Sequence, residues 1–313
     1  MKYMETFIDQ EAPFKRKKPS RRTINTWLWA WLLIAPTILG LLLLNIIPTF
    51  QTLYQSFFKS GDFGKGNIFC GIDNYATLIA DSQVWGAVLN TLLYAVIVVP
   101  VTVIVAMLFA LLLNLKIKGT SVYRTIYFIP MIAAPAAVTM IWRWLYNDQF
   151  GLINVFLNKI GFASVDWVND PNIALFSICV IGIWSAIGYD MVLLLAGLQE
   201  IPRDYYEASG IDGASPARQF FSITLPLISP TMYFVVLTSL ITALQVFDVI
   251  YMMVDVQSPA YNNTVSLVYL FYNNSFKYSN KGYGSAIVML LLVIIMIFTL
   301  IQSRLQKKWV NYM

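Results

Sequence analysis

Six uncharged stretches divide the chain: residues 24–58, 82–115, 125–142, 171–189, 219–247 and 282–303 each run for at least 18 residues without Asp, Glu, Lys or Arg. A helix needs about 20 apolar residues to cross the roughly 30 Å hydrocarbon core of a bilayer, so each stretch can supply one crossing. The pattern predicts an all-α membrane protein with six transmembrane helices near 28–50, 86–114, 123–146, 173–197, 227–254 and 284–305. A basic tail, 1–26, precedes the 27–305 membrane domain and a short tail, 306–313, follows it.

Pro36, Pro48, Pro100, Pro130 and Pro135 lie inside these stretches. Proline lacks an N–H and collides with the preceding turn, so each is expected to break its helix. Within lipid the freed carbonyls must be satisfied by neighbouring helices, side chains or water, which implies a bundle packed around an internal surface. Ala133, Ala134, Ala136 and Ala137 in the third span, and Ala186 with Gly188 in the fourth, are small enough to let backbones approach closely. Between the first two spans, GIDNYATLIADSQVWGAVLNT reads as a short surface helix feeding the second crossing, after the glycine-rich turn GDFGKGN.

Composition agrees with a lipid environment: 58% of the 313 residues are hydrophobic and only 12% charged. Basic residues favour the cytoplasmic side during insertion. Fifteen of them fall in the N-terminal tail, the second and fourth connections and the C-terminal tail, against six opposite, so both termini are expected in the cytoplasm. The net charge of +5 is therefore mostly a topology signal, and no nucleic-acid role is assigned to Lys15-Arg16-Lys17-Lys18. Residues 1–22 are expected to lie against anionic headgroups as a flexible tail. The first apolar run follows that long basic tail and is too long for a signal peptide, so it should remain as a helix. Cys70 and Cys179 fall in different environments and are expected as free thiols. The absence of histidine excludes His-based general-base chemistry, Ser-His-Asp triads and His-ligated metals.

The most distinctive polar segment joins spans four and five, 199–226. Asp204 stands where the N-cap of a short helix belongs, Gly210 and Gly213 supply a turn, and Ser215-Pro216 opens a second helix. That helix places Phe220, Ile223 and Leu227 on one stripe and is expected to end at Pro226. The spacing of Glu207, Ala208, Ser209, Gly213, Ile223, Leu225 and Pro226 resembles the EAA loop of the permease subunits of binding-protein-dependent ABC importers. Ser209 stands where that family usually has Ala. Ile141–Asn154, the GIDNYATLIAD segment and Leu244–Tyr251 are similar to patterns of its carbohydrate-uptake branch, of which the maltose and glycerol-phosphate permeases are typical. Gln257-Ser258-Pro259 replaces a Gly-Gly-Pro common in that branch.

The resemblance implies a type I importer (MetI-like) fold in a bacterial cytoplasmic membrane. It also implies a heterodimer with a second homologous permease, two cytoplasmic ATPase subunits holding ATP and Mg, and an external solute-binding protein delivering a carbohydrate. The 199–226 loop would be the coupling helix seated in the ATPase. This chain contains no Gly-x-x-x-x-Gly-Lys-Ser/Thr phosphate loop, so as a non-catalytic subunit it would leave ATP to those partners and bind no cofactor itself. Candidate substrate contacts are the ionisable Asp190 and Asp248, which cost free energy within spans, together with Tyr189 and Gln245. An aromatic face can stack on a sugar ring, and an amide can donate to and accept from hydroxyls. The resemblance also puts a substrate-contacting tyrosine at Tyr189. Asp190 and Asp248 could equally bond a neighbouring helix or, for Asp248, meet water. Glu207 could pair with a basic residue of the ATPase or with Arg218. Glycerol phosphate as cargo, and an ion-coupled secondary transporter, remain as alternatives.

Overall fold

The computed structural model describes residues 21–61, 67–115 and 119–310. Lys2 and the Lys15–Lys18 run, Lys65 of the glycine-rich turn, and Lys116 and Lys118 lie outside the described residues. The chain forms two compact units, 1–52 and 53–313.

The first unit is helical from α1 (Arg21–Leu41) through a π-helical turn (Leu42–Ile46) into α2 (Ile47–Gln55). Pro36 sits within α1 without ending it. Pro48 cannot donate to the carbonyl four residues before it, and the wider π turn immediately upstream absorbs that loss instead of a break. Trp29, Leu33 and Leu44 are exposed along this helix, an apolar coat suited to lipid.

The second unit begins with a small antiparallel hairpin, β1 (Phe58–Ser60) and β2 (Asn67–Phe69), with Phe58 opposite Phe69. The buried Asn74 of α3 (Asp73–Ala80) donates to the Ser56 and Phe58 carbonyls at 2.8 and 2.9 Å, fixing the hairpin on the surface helix. Asp81 caps α4 (Ser82–Asn114) by accepting from the Gln83 N–H at 2.9 Å, and this 33-residue helix passes through Pro100 unbroken. Asn90 lies two turns inside it, where its Nδ2 donates to the Asn262 and Val265 carbonyls.

The third apolar stretch is a bent pair and not the single helix expected: α5 (Thr120–Ile132) meets α6 (Pro135–Leu145) at 97°. Residues before proline are driven out of the helical region, and Ala133 and Ala134 are both extended, with ψ of 141° and 133°. Pro130 stays inside α5. Of the five prolines expected to break helices, Pro135 alone stands at a break. After α7 (Leu152–Lys159), the buried Asn154 holds the connection by donating to the Val165 carbonyl and accepting from the Val165 N–H and Trp167 Nε1.

Then come α8 (Ala174–Glu200), α9 (Asp204–Ile211), α10 (Pro216–Gln219), a π turn (Phe220–Thr224), α11 (Leu225–Leu227), α12 (Ser229–Leu244) and α13 (Asp248–Met253). The chain closes with α14 (Tyr261–Thr264), α15 (Leu267–Tyr272), a π turn (Asn273–Lys277) and α16 (Lys281–Trp309). Among the described residues, five helices are long and apolar enough to cross a membrane, six if the bent pair is one span.

The core lies between α4 and α8, where Ala87, Ala106, Ala110, Ile178, Ile181 and Leu194 are buried. Close approach comes from glycines: a methyl on Gly188 would overlap the Tyr127 carbonyl of α5, and one on Gly182 the Tyr94 hydroxyl of α4. Ala136 and Ala137, expected to serve this purpose, are exposed. At one end of the unit the Tyr283 hydroxyl donates to Asp81 at 2.6 Å, and the Lys281 N–H donates to Ser60 at 3.0 Å. At the other, the Trp309 ring meets Tyr233, so the last helix ends beside the start of α12, on the face that carries residues 201–228.

Candidate functional site

A cavity of about 550 Å³ opens between α4, the α5–α6 bend, α8, α12 and α13. Two backbone interruptions line it. One is the bend at Ala133; the other separates α12 from α13, where Gln245, Val246 and Phe247 leave the helix and Phe247 adopts φ −141°, ψ −60°. Non-helical backbone at membrane depth persists where it is buried in protein or lines a cavity and its polar groups find partners. Here the fully buried Ser266 donates to the Val246 carbonyl at 2.7 Å. No proline or glycine marks this second break, and the uncharged stretch predicts one unbroken helix over it.

Tyr189, Asp190, Gln245 and Asp248, which come from two separate spans, all line this one cavity. Asp190 is 2% exposed and accepts from the Ser239 hydroxyl at 2.8 Å, so its carboxylate both ties α8 to α12 and borders the space. Tyr189 is half-buried, whereas Gln245 and Asp248 are exposed at the interruption. Thr238, Ser239 and Thr242 are among the polar wall residues that the sequence did not single out. Thr238, Thr242 and Gln245 stand at i, i+4 and i+7, a polar stripe on an otherwise apolar span that was there to be found. Thr102 of α4 also lines the cavity and has a buried hydroxyl without a hydrogen-bond partner among the described residues. Apolar and aromatic walls with a few convergent oxygens and one amide suit a small polyhydroxylated solute.

The 201–228 connection is a rigid, hydrogen-bonded knob. Residue 203 and not Asp204 occupies the cap position of α9, and Asp204 is its first residue, contributing only an acid to the first turn. Gly210 is helical and contributes only its carbonyl to the turn. Gly213 makes the turn alone, at φ +75°: its N–H reaches the Gly210 carbonyl and the Ala214 N–H reaches the Ser209 carbonyl, the paired bonds of a Schellman motif. Ser215 caps α10 through the Arg218 N–H. Ser209 then acquires a role of its own, because its hydroxyl accepts from Gln219 Nε2 at 3.0 Å and donates to the Tyr206 carbonyl, locking the two helices together. Tyr206 and the buried Thr224 share a hydroxyl bond at 2.9 Å.

Pro226 does not end the second helix; after the π turn, α11 carries Leu225 and Pro226 onward, and the backbone continues through Ile228 into α12. Phe220, Ile223 and Leu227 are half-buried on the inner side. Outward stand Glu207, Ala208, Tyr205, Phe221 and Ile211, the last 88% exposed. Glu207 forms no ion pair among the described residues, so Arg218 is not its partner. Arg143, at the end of α6, pairs with Asp255 at 3.7 Å.

A helical bundle with broken spans around a polar-lined cavity, and a stiff knob projecting from one face, defines a polytopic membrane protein built to pass a solute. The chain belongs to the family of binding-protein-dependent transport system inner membrane components, whose model it matches over residues 75–311. It is 35% identical over 279 residues to the sulfoquinovosyl glycerol transport system permease protein of Agrobacterium fabrum, covering 89% of this chain and 90% of that protein. To the trehalose/maltose transport system permease protein of Thermococcus litoralis it is 34% identical over 277 residues, covering 88% and 93%. Among solved structures, one chain of a bacterial ABC transporter involved in import of the acidic polysaccharide alginate superposes with a TM-score of 0.79 at 22% identity, over 93% of this chain and 100% of that one. That likeness shows a shared fold. As a member of this family the chain is a multi-pass protein of the cytoplasmic membrane.

Proposed function

We propose that this chain is the membrane-spanning permease subunit of an ATP-driven carbohydrate importer. With a second, homologous permease it forms a translocation path for a sugar delivered by an external binding protein, and two ATPase subunits on the cytoplasmic face hold ATP and Mg. It has no catalytic residues of its own. Both termini and the 199–226 loop face the cytoplasm, in keeping with the bias of basic residues.

The observation that carries this reading is the pairing of two features in one chain. Tyr189, Asp190, Gln245 and Asp248 line a cavity at a break in α12–α13, and a capped knob on the loop that leads into α12 presents exposed Glu207, Ile211 and Phe221. A knob continuous with a cavity wall transmits rigid-body motion, so closure of the ATPases exchanges outward-open and inward-open arrangements. The named functions of the sugar permeases it resembles support the cargo class. Purification in mild detergent tests the assembly: a complex with a second permease and two ATPases, whose ATP hydrolysis rises when binding protein and sugar are added, is the expected result. A chain that purifies alone, or a complex indifferent to every sugar, contradicts it.

A further inference from the structure

The family's named cargoes differ in charge, and the wall of this cavity bears on which kind passes here. Two of its lining residues, Asp190 and Asp248, are carboxylates, and among the described lining residues none is Lys or Arg. Asp190 is held in place by Ser239, and Asp248 stands at the helix interruption beside Gln245. We infer that this chain selects sugars lacking an anionic group, with Asp190 and Asp248 as the specificity-determining residues that accept hydrogen bonds from hydroxyls and repel phosphate, sulfonate or uronate. The inference rests on the carbohydrate reading above and narrows it.

The chemistry favours hydroxyl-bearing solutes for two reasons. A carboxylate only accepts hydrogen bonds, so it matches the hydroxyl donors of a neutral sugar, and with one Asp190 oxygen engaged by Ser239 the other remains for the solute. An anionic substituent has no donor to offer and meets like charge across a cavity of about 550 Å³. At an effective dielectric of about 20 and a separation of about 6 Å, one such repulsion lowers affinity roughly a hundredfold. This places the chain apart from the sulfoquinovosyl glycerol permease, although that protein is 35% identical to it.

The test uses the complete importer in nanodiscs without its binding protein, so that the external protein's own preference does not intervene. Saturation-transfer NMR compares methyl glucoside, methyl glucuronoside and glycerol 3-phosphate as probes. The expected result is binding of the glucoside at least about tenfold tighter than either anion, and a narrowing to within about twofold in the Asp190→Asn/Asp248→Asn variant. Asparagine keeps an acceptor for Ser239, and an unchanged melting temperature verifies that the variant folds. Equal or tighter binding of an anion by the unmodified complex overturns the inference, as does a gap that survives the double substitution. Absence of binding by any of the three probes, in a complex whose assembly and ATP hydrolysis are intact, removes the carbohydrate reading itself.

Discussion

Gly213 is the residue on which the coupling loop's shape turns, and a graded substitution series there reads out how far shape governs function. Its φ of +75° lies in the left-handed region, and its N–H donates to the Gly210 carbonyl at 3.1 Å. Alanine keeps the hydrogen bond but meets the left-handed cost of about 1 kcal/mol, which depopulates the motif roughly fivefold. Asparagine tolerates this conformation better and should fall between glycine and alanine. Proline fixes φ near −65° and removes the donor; the combined cost exceeds roughly 3 kcal/mol, more than a hundredfold. Because nothing packs around the position that an added Cβ would take, none of these changes should disturb the bundle. Solute-stimulated ATP hydrolysis of the reconstituted complex should fall in the order Gly, Asn, Ala, Pro, while the melting temperature of the purified chain stays constant. Wild-type stimulation in Gly213→Pro refutes the role given to this turn.

Ser266→Ala leaves the Val246 carbonyl without its 2.7 Å donor at the α12–α13 interruption; an expected loss of about 1–3 kcal/mol should lower the melting temperature in detergent, and an unchanged melt would show that the break is held otherwise. Gly188→Leu forces side-chain atoms into the Tyr127 carbonyl and should separate α5 from α8, with overpacking of about 1–3 kcal/mol or more visible as reduced thermal stability; Gly40→Leu, with open space around it, is the matched control. For the exposed Lys59–Asp73 pair at 3.0 Å, the hydrogen bond and charge of Asp73 raise the lysine above its ordinary 10.5. A raised folded-state value means that any contribution is complete below 10.5 and disappears only as pH climbs through the higher folded value. Melting curves of the native chain and Lys59→Met should therefore keep a constant separation from neutral pH up to 10.5; a gap that closes near neutrality contradicts the assignment.

The apolar spans were legible in the sequence because each run without charge is as long as a bilayer is thick. Ser215-Pro216 and Gly213 were legible too, since cap and left-handed turn are written in residue type. The helix breaks were not. Five prolines look alike in the chain, but Pro100 is carried inside a helix well buried against α8, Pro36 sits inside α1, and Pro48 follows directly on a π turn. Only Pro135 follows two extended residues. The break at Val246 carries no local signal, because what sustains it is Ser266, a hydroxyl twenty residues away. Tyr189, Asp190, Gln245 and Asp248 were found as polar or aromatic exceptions within apolar spans. Ser239 and Thr102 were missed because a single hydroxyl in a membrane helix can bond its own backbone and needs no further explanation.

The central claim, that the knob between α8 and α12 engages the ATPase beneath the membrane, is tested most directly by a photocrosslinking amino acid placed at Glu207 in intact cells. Irradiation should join this chain to an ATPase subunit, with a yield that changes when transport is driven by added sugar. Adducts formed only with lipid, or with a polypeptide on the outer side of the membrane, contradict the account.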